Sequence, residues 1–197
     1  IQVKLDEEKH QIKGSETITY HNNSPNSLSY LWLQLDANQL SNLSERERIR
    51  SAPHLAKVPV KQMPSIDLRP AYEPQLEIWN LEDQNGNALP FMIDSTLMRI
   101  NLPKPIPPMS EYSFSMEWSY TLNNSDVIWA RSGYEYFPKE ENSIYEIAQF
   151  YPRMAIYTDI DGWLTKEFLG AGEFATEFGN FDVEITVPED HIVGATG

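Results

Sequence analysis

The sequence contains no cysteine, which excludes disulfides and thiolate-bound metals. That absence fits a reducing or an oxidising compartment equally. Basic residues are scarce: 15 Lys and Arg stand against 29 Asp and Glu, a net charge of −14. Such a surface repels phosphate backbones and anionic lipid headgroups, which argues against nucleic-acid and lipid-surface partners. The acids are dispersed, as on a solvated surface rather than in an acidic tail. No apolar run approaches the roughly 18 residues of a membrane-spanning helix. No signal peptide is legible. The expectation is a soluble chain, in the cell envelope or periplasm or in the cytoplasm.

Catalytic signatures are absent too. The four histidines are His10, His21, His54 and His191. None lies in H-E-x-x-H or beside a second histidine at helical spacing, so no zinc site is legible. Each reads as an exposed strand or turn residue. No serine sits in G-x-S-x-G. Gly170-Ala171-Gly172-Glu173 lacks the third glycine and the Lys-Ser/Thr of a phosphate loop. Asp159 and Asp161 flank Ile160 and would share one face of a strand, as paired glycosidase carboxylates could. Asp161-Gly162 is also a common turn dipeptide, and the turn is the favoured reading. Asn22, Asn42 and Asn123 open sequons, which matter only in a glycosylating host.

What is present is strand pattern. The 197 residues are 41% apolar and 12% aromatic, enough for one large domain or two small ones with a packed core. Val3 and Leu5 alternate with Lys4, and 6–9 reads as a polar turn. Strands are expected over 12–20 and 29–35, the latter with Leu31, Leu33 and Leu35 opposite Tyr30 and Trp32. Ser44 to Glu47 fits a capping box opening a two-turn helix that Pro53 ends. Strand 75–81, a turn at Asn85-Gly86-Asn87 and a return over 89–93 read as a hairpin. A strand at 96–102 precedes Pro103 to Pro108, expected as a loop because prolines cannot donate to a ladder. Residues 111–121 alternate most clearly, with Tyr112, Phe114, Met116, Trp118 and Tyr120 on one face. A last strand over 181–187 stops at Pro188. The whole predicts an all-β, mostly antiparallel sandwich or stack of sheets with at most one or two short helices. No domain-scale linker interrupts it. The first residues are already strand-like and the last run is apolar, so both ends are expected to be trimmed from something longer.

The residues also resemble a family. Residues 3–35 (VKLDEEKHQIKGSETITYHNNSPNSLSYLWLQL), 98–103 (MRINLP), 147–163 (IAQFYPRMAIYTDIDGW) and 178–197 (FGNFDVEITVPEDHIVGATG) resemble, in order, the N-terminal domain of aminopeptidase N-like zinc metallopeptidases of bacterial type. The resemblance implies a single saddle-like β domain over 1–197. It implies packing on the catalytic domain of the same polypeptide, where the zinc and the H-E-x-x-H motif would lie. No cofactor is expected in this chain itself. It further implies that the segment from Tyr145 to Arg153 runs along the domain interface and offers a polar side chain to the amino end of a peptide substrate. Gln149 is the first candidate for that role. On a regular strand Gln149 would face with Ile147 and Tyr151, opposite Glu146, so Glu146 serves only if the match slips by a residue, and a third alternative is that neither reaches the substrate. Ile147 departs from the family, which often has a second polar residue there. Arg153, Tyr157 and Asp159 are implied as interface or structural positions, with Arg153 paired to Asp159 or another acid. Trp163, Phe168 and Phe174 are expected to pack beneath. The alternative is a carbohydrate- or ligand-binding β-sandwich, motivated by five Trp, ten Tyr and eight Phe.

Overall fold

The computed structural model describes residues 1–41, 44, 48–49, 57–63, 75–128, 130–167 and 175–196. Two sheets and two small ribbons carry the chain. β1 (Gln2–Asp6), β2 (Gln11–Asn22), β4 (Glu77–Asp83), β7 (Ser110–Thr121) and β13 (Glu184–Thr186) form a sheet in the order β13-β1-β2-β7-β4. β3 (Leu28–Gln34), β5 (Phe91–Asp94), β6 (Leu97–Ile106) and β10 (Arg153–Met154) form a second, ordered β10-β3-β6-β5. β8 (Gly133–Phe137) pairs with β9 (Asn142–Glu146), and β11 (Tyr157–Thr158) with β12 (Gly162–Trp163). All these pairings are antiparallel except β1 with β13. Helical structure among the described residues is confined to short 3-10 turns, at Asp36–Leu40 and Val60–Gln62, and single residues. The chain is all-β, as its alternation predicts.

The core lies between the two sheets. Phe114, Met116, Trp118 and Tyr120 of β7 are buried on one side, with Leu31, Leu33, Met98 and Ile100 of β3 and β6 on the other. Burying each such side chain contributes roughly 1.5–3 kcal/mol. Gly14 lies opposite Trp118 in the β2–β7 register, and a Cβ there would stand 2.3 Å from the indole Cζ2. A glycine is therefore required where the ring lies down on its neighbour strand.

Three local expectations are corrected. The turn at 84–87 forms, with Gly86 at φ +77, but the return strand does not pair back. After the single Glu82–Ala88 bridge, β5 crosses to β6 in the other sheet. Pro90, with no N–H, ends the pairing, and its carbonyl accepts from Asn101 N. The proline run is not a loop: β6 continues to Ile106. Its partner β3 is irregular between Leu28 and Tyr30, so Pro103 and Pro105 occupy a stretch where the ladder asks for no donor. The last strand shrinks from 181–187 to Glu184–Thr186 at a sheet edge. As for the capping box, Ser44 is buried and its hydroxyl donates to the Gln39 carbonyl at 2.9 Å, while Glu47 and the expected helix lie outside the described residues.

Candidate functional site

The segment after β9 departs from strand geometry, and that departure builds the site. Glu146 is the last paired residue, opposite Gly133. Gln149 has φ +53, a left-handed backbone that non-glycine residues seldom adopt. Pro152 then removes a donor. The expected alternation of Ile147, Gln149 and Tyr151 against Glu146, Ala148 and Phe150 is therefore broken: Ile147, Phe150 and Tyr151 all pack on the core. Phe150 lies 6.1 Å from the Trp118 ring and meets Tyr151 edge-on at 5.2 Å.

Two devices hold this segment. Ser132 Oγ accepts from Ala148 N at 2.7 Å and donates to Ala148 O at 2.8 Å, pinning the peptide just before Gln149. Arg153 Nε donates to Asp36 Oδ2 at 2.5 Å and Nη2 to Oδ1 at 3.3 Å, a fork-to-fork pair with both side chains nearly buried. Arg153 Nη1 also donates to Ala175 O at 3.3 Å. Of the two partners the sequence left open for Arg153, the other acid is the one found. Asp159 is exposed in the turn joining β11 to β12, with Asp161, whose N–H donates to Thr158 Oγ1 at 3.0 Å. The Asp-Ile-Asp-Gly stretch is thus a turn.

Gln149 lines a cavity of about 20 Å³ with Asp36, Tyr120, Asn123, Arg131 and Ser132. That is room for one water. Glu146, exposed at the strand end, does not line it. Tyr157 sits elsewhere, its hydroxyl accepting from Asn26 Nδ2 at 3.0 Å and its ring edge-on to Trp163 at 5.2 Å. Trp163 also meets Tyr20, so it packs as expected; Phe168 and Phe174 lie outside the described residues.

Several polar groups here have no sequence signal. Glu16 of β2 is buried on the core face, its Oε1 without a hydrogen-bond partner. Burial pushes its carboxyl up to about 8, offset in part by the Ile1 ammonium. Burial also raises the Tyr151 phenol, with Glu16 adding to the shift and Arg153 opposing it. Tyr120 is raised by burial, and although Ser132 is beside it, its hydroxyl makes no hydrogen bond of good geometry. Gln34, opposite Arg153 in the β3–β10 register, has an unpartnered Oε1 as well.

Residues 178–193 form a ribbon that includes β13 and exposes several large apolar side chains. Phe178, Phe181, Val183, Ile185, Ile192 and Val193 are exposed. Phe181 meets Tyr151 edge-on at 6.0 Å, which brings this ribbon against the Gln149 segment.

No known protein family matches the chain, and no characterised protein does. Among solved structures, one similar chain is a variant of an M1 zinc metallopeptidase from Deinococcus radiodurans, with a TM-score of 0.39 and 12% identity. The likeness covers 68% of this chain and 22% of that one, so the chain spans about a fifth of that protein's length.

Proposed function

We infer that the chain is a non-catalytic N-terminal β domain of an aminopeptidase-like zinc metallopeptidase. It packs on a catalytic domain and helps to hold the amino end of a peptide. The observation that carries this is the contact between a polar corner and a ribbon that exposes large apolar side chains. Gln149 stands in a strained backbone over a cavity too small for a side chain, and the adjoining ribbon leaves Phe178 99% exposed. Large apolar side chains left exposed within one segment mark a place for a partner. A neighbouring domain seated on the ribbon would turn the shallow corner into a walled pocket.

The chemistry of the corner suits an ammonium group. The Gln149 carbonyl can accept from it. Asp36 lines the same cavity, its carboxylate held and neutralised by Arg153. Zinc would polarise the scissile carbonyl in the neighbouring domain, and this chain would position the substrate only. The rings of Tyr112, Phe114, Trp118 and Tyr120 point into the core rather than forming a sugar platform.

The purified chain is expected to hydrolyse no aminoacyl anilide, with or without added zinc. Zinc-dependent release of the anilide by this chain would overturn the assignment.

A further inference from the structure

A second cluster lies away from Gln149. The turn after β1 carries Glu7, and the segment after β13 carries Asp190 and His191. His191 N donates to Pro188 O at 3.1 Å, which folds that segment back on itself. The His191 ring is 14% exposed and packs 5.8 Å from Tyr145. Tyr145 is itself held by His10, whose Nδ1 lies 2.8 Å from the phenol oxygen and whose ring stacks on Tyr134 at 3.7 Å.

The two nitrogens of His191 differ. Nδ1 is 3.1 Å from Asp190 Oδ1. A carboxylate there accepts the Nδ1 proton and fixes the tautomer, leaving the lone pair on Nε2. Nε2 is buried and has no hydrogen-bond partner. It faces Glu7 Oε1 at 3.8 Å, beyond hydrogen-bond reach. Two donors each about 2.1 Å from one ion stand roughly 3–4 Å apart, so this gap suits a shared cation. Donor atoms of Glu7, Asp190 and His191 all lie within 4.8 Å of one another.

We propose that His191 Nε2 and the Glu7 carboxylate, with Asp190 orienting the imidazole, bind a divalent cation that ties the β1–β2 turn to the segment after β13. One imidazole nitrogen with a carboxylate oxygen is a donor pair that zinc accepts among the common ions. A carboxylate behind the ligating imidazole is the usual support for a metal-bound histidine. The ion would offset two carboxylates in a chain of net charge −14. It would also fasten an edge that needs fastening: β13 pairs with β1 over three residues, and all three are exposed. The ligands come from opposite ends of the chain, so no spacing motif announces them. The inference does not rest on the peptidase assignment, because its ligands are Glu7 and His191 and it makes no use of Gln149.

The test is a calorimetric titration of the chelator-treated 197-residue chain with Zn²⁺ alone, with the His191 ring nitrogens followed by NMR. About one equivalent should bind, and the His191 Nε2 resonance should move. Affinity should fall about 10–100-fold in Asp190→Asn. Glu7→Gln should lose at least tenfold with its circular dichroism unchanged, which separates lost binding from lost fold. His191→Ala should abolish this site, and His21→Ala, on an exposed histidine, should not affect it. No saturable binding up to millimolar zinc would overturn the proposal. Equal affinity in wild type and His191→Ala, or in wild type and Glu7→Gln, would overturn it as well.

Discussion

At the residue scale, single positions decide what the core tolerates. Glu16 keeps its proton in the folded chain to about pH 8 but releases it near 4.5 when unfolded. The folded state therefore binds more protons between those values, and stability falls as pH rises through that window. Glu16→Gln should flatten the dependence and be more stable at pH 8 by on the order of a few kcal/mol, read from urea midpoints at pH 5 and pH 8. A parallel pH profile for both proteins would contradict the burial assigned to Glu16. Asp36 and Arg153 are both nearly buried, so Arg153→Met alone should cost about 3–5 kcal/mol by stranding the carboxylate. Adding Asp36→Leu should recover most of that loss, and a double variant no better than the single one would place the cost elsewhere. Asn22 and Asn123 open sequons, yet both are buried and their amides donate to main-chain carbonyls. A glycan on either would have to displace core contacts.

At the element scale, the turn that carries Gln149 separates fold from function. The left-handed backbone costs a non-glycine residue about 1–2 kcal/mol. Gln149→Gly should thus leave stability unchanged or raised, by denaturant midpoint, while removing the amide proposed to meet the substrate. A loss of more than about 1 kcal/mol would show that the side chain serves packing instead. The long strands were legible in the sequence because a period of two survives wherever one face is buried, as along Tyr112 to Tyr120. The β5 crossover was not, since local pattern cannot say which sheet a strand joins. The proline stretch of β6 misled because a missing donor matters only where the ladder needs it. Gln149 is singled out by the family resemblance alone, and its surroundings carry no local pattern. Asp36, Ser132 and Asn123 reach it from distant elements, with no spacing to betray them.

At the scale of the whole molecule, the described residues close a core and leave large apolar side chains exposed outside it. Trp118 is wholly buried, yet Phe178 and Ile192 are almost fully exposed. Replacing Phe178 and Ile192 by Ser should leave the denaturant midpoint within about 0.5 kcal/mol, since surface positions without partners contribute little to folding. A cooperative loss of fold would mean that the ribbon belongs to this domain's own core. The proposed function rests on recognition of an amine. The direct measurement is an NMR titration of the Gln149 side-chain amide with a dipeptide amide at millimolar concentration, compared with its N-acetylated form. The free amine should move the Gln149 resonance and the acetylated form should not. Equal shifts from both, or none from either, would contradict it.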